Sequence, residues 1–311
     1  MRENLVPILF LAVPGVLLTT TMVGGMTALG AGVAIGTAAV FGALIAATDP
    51  VAVVSLFRAL GVPRKLALTM EGESLFNDGT AIVIFHIALA AVLTGAFDPL
   101  TGLYDFFRVS LGGIGVGLVL GWIAAQLVAR LHDRLIVTSL TTILAFGSYL
   151  AAEQLHVSGV LSVVVAGLLV GNVGMAGTAP STKLMILNLW EYLAFLANSM
   201  VFLLIGLNTE LTLLWENLDA VAVAVVAVVG SRAIIVYGVS RLTRLWRKQG
   251  YFPPSWRHVL FWGGLRGAIS LALALSLPAA MPGRRELQAM AFGVVLFTLL
   301  AQGTTIQFLL E

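Results

Sequence analysis

The length of its apolar runs constrains this chain more than any other feature. Ten stretches are almost free of charge: 5–22, 31–60, 66–94, 107–130, 136–152, 158–173, 185–207, 219–240, 258–277 and 287–309. A helix needs about 20 apolar residues to cross the hydrocarbon core of a bilayer. The runs are continuous rather than alternating, which argues against a β-barrel. The expected fold is therefore an all-α polytopic membrane protein with about ten transmembrane helices. The second and third runs are longer than a straight span requires, so each should be tilted or broken. Composition agrees, with 59% hydrophobic and 10% charged residues and a mean hydropathy of +1.01. A soluble domain carries about 25% charged residues.

The same composition excludes several classes. Cysteine is absent, so neither a disulfide framework nor a cysteine metal site can form. A net charge of +2 gives no basis for nucleic-acid binding. Residues 5–22 lack a basic leader and a cleavage site, so they read as a true span rather than a signal peptide. No zinc-protease motif or serine–histidine pair points to an enzyme, and no cofactor is expected.

Basic loop residues set the orientation. With the start of the first run inside, the inner side holds Arg2, Arg58, Arg64, Lys65, Arg130, Arg134, Lys183, Arg241, Arg244, Arg247, Lys248 and Arg257. The outer side holds only Arg108, Arg284 and Arg285, with the acidic Asp98, Asp105, Glu153, Glu210, Glu216 and Asp219. The carboxyl terminus is then cytoplasmic.

With those loop residues set aside, seven Asp, Glu or Arg residues remain within the spans: Asp49, Glu71, Glu73, Asp78, Glu191, Arg232 and Arg266. A charge at the bilayer centre costs roughly 2.5–3.5 kcal/mol on insertion scales. Such residues face a bundle interior or a watered cavity, often with a partner. In the third run, Ser74 and Asp78 are four apart and share a helix face, with Glu73 and Asn77 on a neighbouring one. Asp78 should sit about 18 Å from the cytoplasmic end at 1.5 Å per residue. A carboxylate, a hydroxyl and an amide at that depth are hard oxygen ligands for a small monovalent cation. The carboxylate can instead take a proton, because burial disfavours its bare charge. One site that holds either ion is the minimum device for antiport. A polar cluster that only locks helices together is the plainer alternative.

Two further runs carry break signals. In Thr48-Asp49-Pro50, the proline removes a backbone donor and disfavours helix at Asp49. In Trp262-Gly263-Gly264-Leu265-Arg266-Gly267, three glycines surround an arginine. The two runs have opposite topology, and paired broken helices in inverted repeats point to a transporter's central site. A plain kink and close helix packing are the competing explanations. Depth along the helices suggests two ion pairs, Glu73 with Arg266 and Glu191 with Arg232. Asn198 and Ser199, beside Glu191, read as lining or packing residues. His86 reads as a structural histidine near the outer end. His132, His156 and His258 sit at helix ends.

Ala-Thr-Asp-Pro-Val at 47–51, Glu-Gly-Glu-Ser-Leu-Phe-Asn-Asp-Gly-Thr at 71–80 and Gly-Gly-Leu-Arg-Gly-Ala at 263–268 resemble the sodium/proton exchanger branch of the cation:proton antiporters, the NhaP and NHE type. Residues 158–168 and 190–199 extend the resemblance over nearly the whole chain. It implies one transporter domain over 1–311, with two crossing discontinuous helices and with 31–94 and 219–309 as inverted-repeat elements. It implies that Asp78 alternately binds cation and proton, that Asn77 marks one-for-one electroneutral exchange, and that Ser74 and Thr48 help coordinate the ion. Asp49 would sit at the crossover, and Glu73 would pair with Arg266. A homodimer in a bacterial-type plasma membrane, working by alternating access, is expected. Members of this branch have 12 or 13 spans, so about three helices are expected before residue 5. The alternatives are a truncated, non-transporting membrane protein and a cation channel or uniporter.

Overall fold

A computed structural model describes residues 5–50, 53–54, 57, 62–96, 98–131, 133–208, 211–246 and 254–310. Arg2, Val51, Arg58, His132, Glu210, Arg247 and Lys248 lie outside the described residues. The described residues form helices joined by short non-helical stretches, with no strand among them. They form two compact units, residues 1–97 with 205–311, and residues 98–204.

The first unit begins with α1 (Leu5–Ala12), α2 (Pro14–Gly30) and α3 (Ile35–Ala46). A long α4 (Arg64–Thr94) follows and stops at Gly95, whose φ of 68° is open to glycine at no steric cost. The second unit holds α5 (Pro99–Arg130), α6 (Arg134–Gln154), α7 (Gly159–Leu169) and α8 (Pro180–Asn208), the last of which runs into the first unit's residues. Back in the first unit come α9 (Leu211–Glu216), α10 (Leu218–Trp246), α11 (Pro254–Trp262), α12 (Ala268–Leu275), α13 (Arg284–Phe297) and α14 (Gly303–Leu310).

Helix starts follow their caps. Asp98 accepts from the Leu100 and Thr101 N–H groups, and Asp133 from those of Leu135 and Ile136. Within the apolar helices, hydroxyls return their protons to the carbonyl one turn back. Thr19 bonds Gly15 O at 2.8 Å and Thr27 bonds Val23 O at 2.8 Å. A hydroxyl that would otherwise be stranded away from water is satisfied this way.

Seven helices among the described residues are long and apolar enough to cross a membrane: Ile8–Gly30, Lys65–Thr94, Pro99–Arg130, Arg134–Gln154, Pro180–Leu204, Leu218–Arg241 and Arg284–Gln307. The other three expected spans are shorter or interrupted. Run six forms Gly159–Leu169 and a π-turn at Val170–Gly174. Runs two and nine break where the proline and the glycines predicted. α3 ends at Ala46, with Ala47 extended at φ −59° and ψ 134°. α11 ends at Trp262 and α12 begins at Ala268. The third run, by contrast, is one unbroken helix of 31 residues. Run ten carries an interruption that the sequence did not announce, a π-turn at Thr298–Gln302 between α13 and α14.

Two of the apolar clusters in the first unit lie beside the breaks. One joins Val53, Phe57, Leu66, Met70, Val236, Val259, Leu260, Leu265 and Ile306. The other joins Val16, Ala46, Ala47 and Ala81. α2 and α3 meet backbone to backbone at Gly42, where any Cβ would run into the Thr20 carbonyl. In a bilayer such small-residue contacts replace the hydrophobic drive as the source of helix association.

Candidate functional site

The two interrupted helices meet at their breaks. The Asp49 N–H, freed from helix by Pro50, donates to the Leu265 carbonyl at 2.8 Å. The Asp49 carboxylate lies against Gly267, so closely that a Cβ there would overlap its Oδ2. Gly267 is the residue before the first turn of α12, so the Asp49 carboxylate faces the positive end of that helix. The opposite charge sits at the negative end of α3. Arg266, 1% exposed, donates from Nη1 to the carbonyls of Ala46 at 2.7 Å and Ala47 at 3.1 Å. Ser270 adds a bond from its hydroxyl to Ala47 O at 3.4 Å. Each orphaned helix end is thus met by a charge of the right sign.

α4 presents its polar residues to the first break. The Ser74 hydroxyl donates to the Thr48 carbonyl and lies 3.4 Å from Asp78 Oδ2. Asn77 Nδ2 donates to Thr48 Oγ1 at 3.2 Å. Thr48, Ser74 and Asn77 are all buried. Asn77 Oδ1 and Asp78 Oδ1 are buried and have no hydrogen-bond partner among the described residues. Asp49 and Arg266 are both electrostatic neighbours of Asp78. Two unpartnered oxygens, one of them on a carboxylate, therefore lie at a junction of freed backbone. An orphaned buried oxygen is costly, so the arrangement favours a cation or proton as its complement. Hard oxygen donors of this kind suit a small monovalent or hard cation rather than a soft metal.

The ion pairing differs from the expected one. Arg232 on α10 grips Glu73, with Nη1 on Oε1 and Nη2 on Oε2 at 3.2 Å. It also donates to the Leu260 carbonyl, from Nε at 3.2 Å and Nη2 at 2.9 Å. Leu260 lies in the last turn of α11, so this arginine also closes a helix C-terminus. Glu73 therefore pairs with Arg232 and not with Arg266, and Glu191 is not the partner gripped by Arg232. The reason is geometric. Counting residues from a helix end gives height, and Arg232 and Arg266 have nearly the same height. It does not give the direction in which each side chain points. Arg266 sits inside a break, where bare carbonyls are the nearest acceptors. Glu191 is exposed on α8 of the other unit.

His86 is exposed, with its ring 5.5 Å from that of Phe85. His258 Nδ1 lies 2.8 Å from the Tyr237 hydroxyl. Two residues of the site's surroundings were not singled out from sequence. Thr298 accepts from the Arg266 N–H at 3.2 Å, and Gln302 lies one turn further on, both buried. Their spacing in an apolar run was the available signal.

The chain matches the family described as sodium/hydrogen exchanger, transmembrane, over residues 1–311. It is 42% identical to the Na(+)/H(+) antiporter ApNhaP of Aphanothece halophytica, covering 100% of this chain and 60% of that protein. It is 42% identical to the Na(+)/H(+) antiporter NhaG of Bacillus atrophaeus, covering 100% of this chain and 59% of that protein. The chain thus spans about three fifths of the length of these relatives. Its fold is that of the sodium proton antiporter MjNhaP1 from Methanocaldococcus jannaschii, with a TM-score of 0.82 at 19% identity, over 99% of this chain and 79% of that one.

Proposed function

Because the chain belongs to the sodium/hydrogen exchanger family, we propose that it forms the ion-exchanging part of a monovalent cation:proton antiporter, with Asp78 as the group that holds either ion. The observation that carries this reading is the buried, unpartnered Asp78 Oδ1 at the meeting point of two broken helices. The named relatives are Na(+)/H(+) antiporters, which favours sodium as the cation.

The proposed cycle follows from the donor set. A dehydrated sodium ion would take the Asp78 carboxylate, the Ser74 hydroxyl oxygen and oxygen from Thr48. Ser74 has one proton and two nearby acceptors, so it can keep that proton on the Thr48 carbonyl and offer a lone pair to the ion. When the cation leaves, a proton on Asp78 replaces one positive charge with another. The net charge of the site is then the same with either cargo, which is one-for-one electroneutral exchange. Asn77 is neutral and adds no second exchangeable charge. Asp49 and Arg266 offset the two half-helix dipoles, so the cargo carboxylate need not. Glu73 and Arg232 fix α4 against α10 and take no cargo.

The same reading includes an integral, multi-pass location in a plasma membrane with the carboxyl terminus in the cytoplasm. It also includes a homodimer in which each protomer exchanges ions by alternating access. The repeat elements 31–94 and 219–309 both fall within the first unit, which supports treating that unit as the ion-carrying core.

Proton flux in sealed vesicles, started by adding Na⁺, tests the proposal. Exchange should be present in the unaltered protein and lost in Asp78→Asn at equal folded yield. Exchange that survives Asp78→Asn sinks the assignment.

A further inference from the structure

The π-turn at Thr298–Gln302 stands directly behind Arg266. A π-turn is rare, and it recurs where a helix must re-aim side chains at a functional site. Here Thr298 and Gln302 are 1% and 3% exposed, in a helix otherwise apolar at that level. Thr298 Oγ1 accepts the Arg266 N–H at 3.2 Å and returns its own proton to Val295 O at 3.0 Å. The turn is therefore already bonded to the break at residue 266. Gly303, next along, has its Cβ direction 3.9 Å from Leu265 Cδ1, so the end of the turn also lies at the break.

Two buried atoms in this region lack a hydrogen-bond partner among the described residues: Arg266 Nε and Gln302 Oε1. One can only donate and the other can only accept. Each orphan is costly where it stands, and each is the complement of the other. The front of the same guanidinium is bonded through Nη1 to Ala46 O and Ala47 O, and it is the electrostatic neighbour of Asp78.

We propose that Gln302 is a positioning residue for ion exchange: its amide oxygen takes the Arg266 Nε–H, directly or through one water, and holds the guanidinium back from Asp78. Gln302 touches no cargo and acts through Arg266. Without that rear anchor, Arg266 is free to swing on its Nη1 bonds toward the carboxylate, where its charge opposes cation binding. Thr298 and Gln302, four residues apart, lie on one side of this segment, and Thr298 is bonded to the break.

The inference rests on the exchange reading above, and two measurements separate the two. The first is Na⁺-driven proton flux in vesicles with Gln302→Met, which keeps the length and removes the acceptor, and Gln302→Glu, which keeps an acceptor oxygen. Gln302→Met should raise the apparent KM for Na⁺ at least threefold and change the maximal rate less. Gln302→Glu should bring KM back to within about twofold of the unaltered protein. An unchanged KM in Gln302→Met, or the same KM in both variants, overturns the proposal. If the unaltered protein shows no flux, the exchange reading itself has failed. The second measurement does not need transport. It compares the fall in Tm caused by Gln302→Met alone with the fall it causes in an Arg266→Lys background, which has no Nε–H. The fall should disappear in that background. An equal fall in both backgrounds overturns the contact.

Discussion

The two breaks solve one problem with different chemistry. Each leaves a half-helix with bare carbonyls inside the protein, and each brings an arginine to them. At the end of α11, Arg232 bonds the Leu260 carbonyl and is also locked onto Glu73. At the end of α3, Arg266 bonds the carbonyls of Ala46 and Ala47, and among the described residues its side-chain bonds go to neutral acceptors alone. The first cation is neutralised by its own carboxylate. The second keeps its charge in the field of Asp78. One break is therefore a fastening, and the other is part of the electrostatics around Asp78, the proposed ion site.

Removing either partner of the fastening should have the largest effect. Glu73→Ala or Arg232→Ala leaves a buried charge without its complement, at about 3–5 kcal/mol. Thermal unfolding in detergent and folded yield measure it. Replacing both residues with apolar ones should cost less than the sum of the single losses. If Arg266→Ala costs as much as Arg232→Ala and leaves the cation dependence of exchange unmoved, the contrast between the breaks fails.

The glycines flanking the breaks sharpen the contrast. A Cβ at Gly264 would press on Arg232 Nε at 2.6 Å, and one at Gly267 would overlap the Asp49 carboxylate. Gly264→Ala should lower stability by an overpacking cost of about 1–3 kcal/mol, read as a lower Tm. Gly267→Ala should cost a similar amount and also change the apparent KM for Na⁺, because it moves a charge beside Asp78. Equal KM values for the two variants would remove the distinction.

The smallest effect is expected far from both breaks and serves as the reference. Hydrogen bonds from the Thr101 hydroxyl and N–H and from the Leu100 N–H hold the exposed Asp98 carboxyl below its usual value. A lowered carboxyl contributes stability above its unfolded pKa and loses it as pH falls through the folded one. Asp98→Asn should therefore flatten a slight fall in Tm between neutral and acid pH, and should leave ion exchange unchanged.

Much of this was legible in the sequence because the signals were local. Pro50 and the glycines at 263, 264 and 267 act on their own backbone, so both breaks were readable. Ser74, Asn77 and Asp78 lie on one continuous helix, so their shared exposure to a site followed from helical spacing. Partner choice was not readable in the same way. Glu73 could have met either arginine at its own height, and only the rotation of α10 and the fold of the second break decide for Arg232. The π-turn was hidden for a related reason: one extra residue per turn changes no composition. Its two polar residues stood in plain view at 298 and 302, but nothing local said which break they would face.

One bond described above has a bearing on how such chains can change in length. Irregular segments between helices generally absorb insertions and deletions, because they run over the surface. The stretches at 47–50 and 263–267 are irregular yet stitched to each other by the hydrogen bond from the Asp49 N–H to the Leu265 carbonyl. Adding or deleting one residue in either stretch would slip that stitch and turn Thr48 away from Ser74 and Asn77, and Arg266 away from the Ala46 and Ala47 carbonyls. These two short loops should therefore be as intolerant of length change as the middle of a helix, and a library of single-residue insertions along the chain should show them as two sharp gaps.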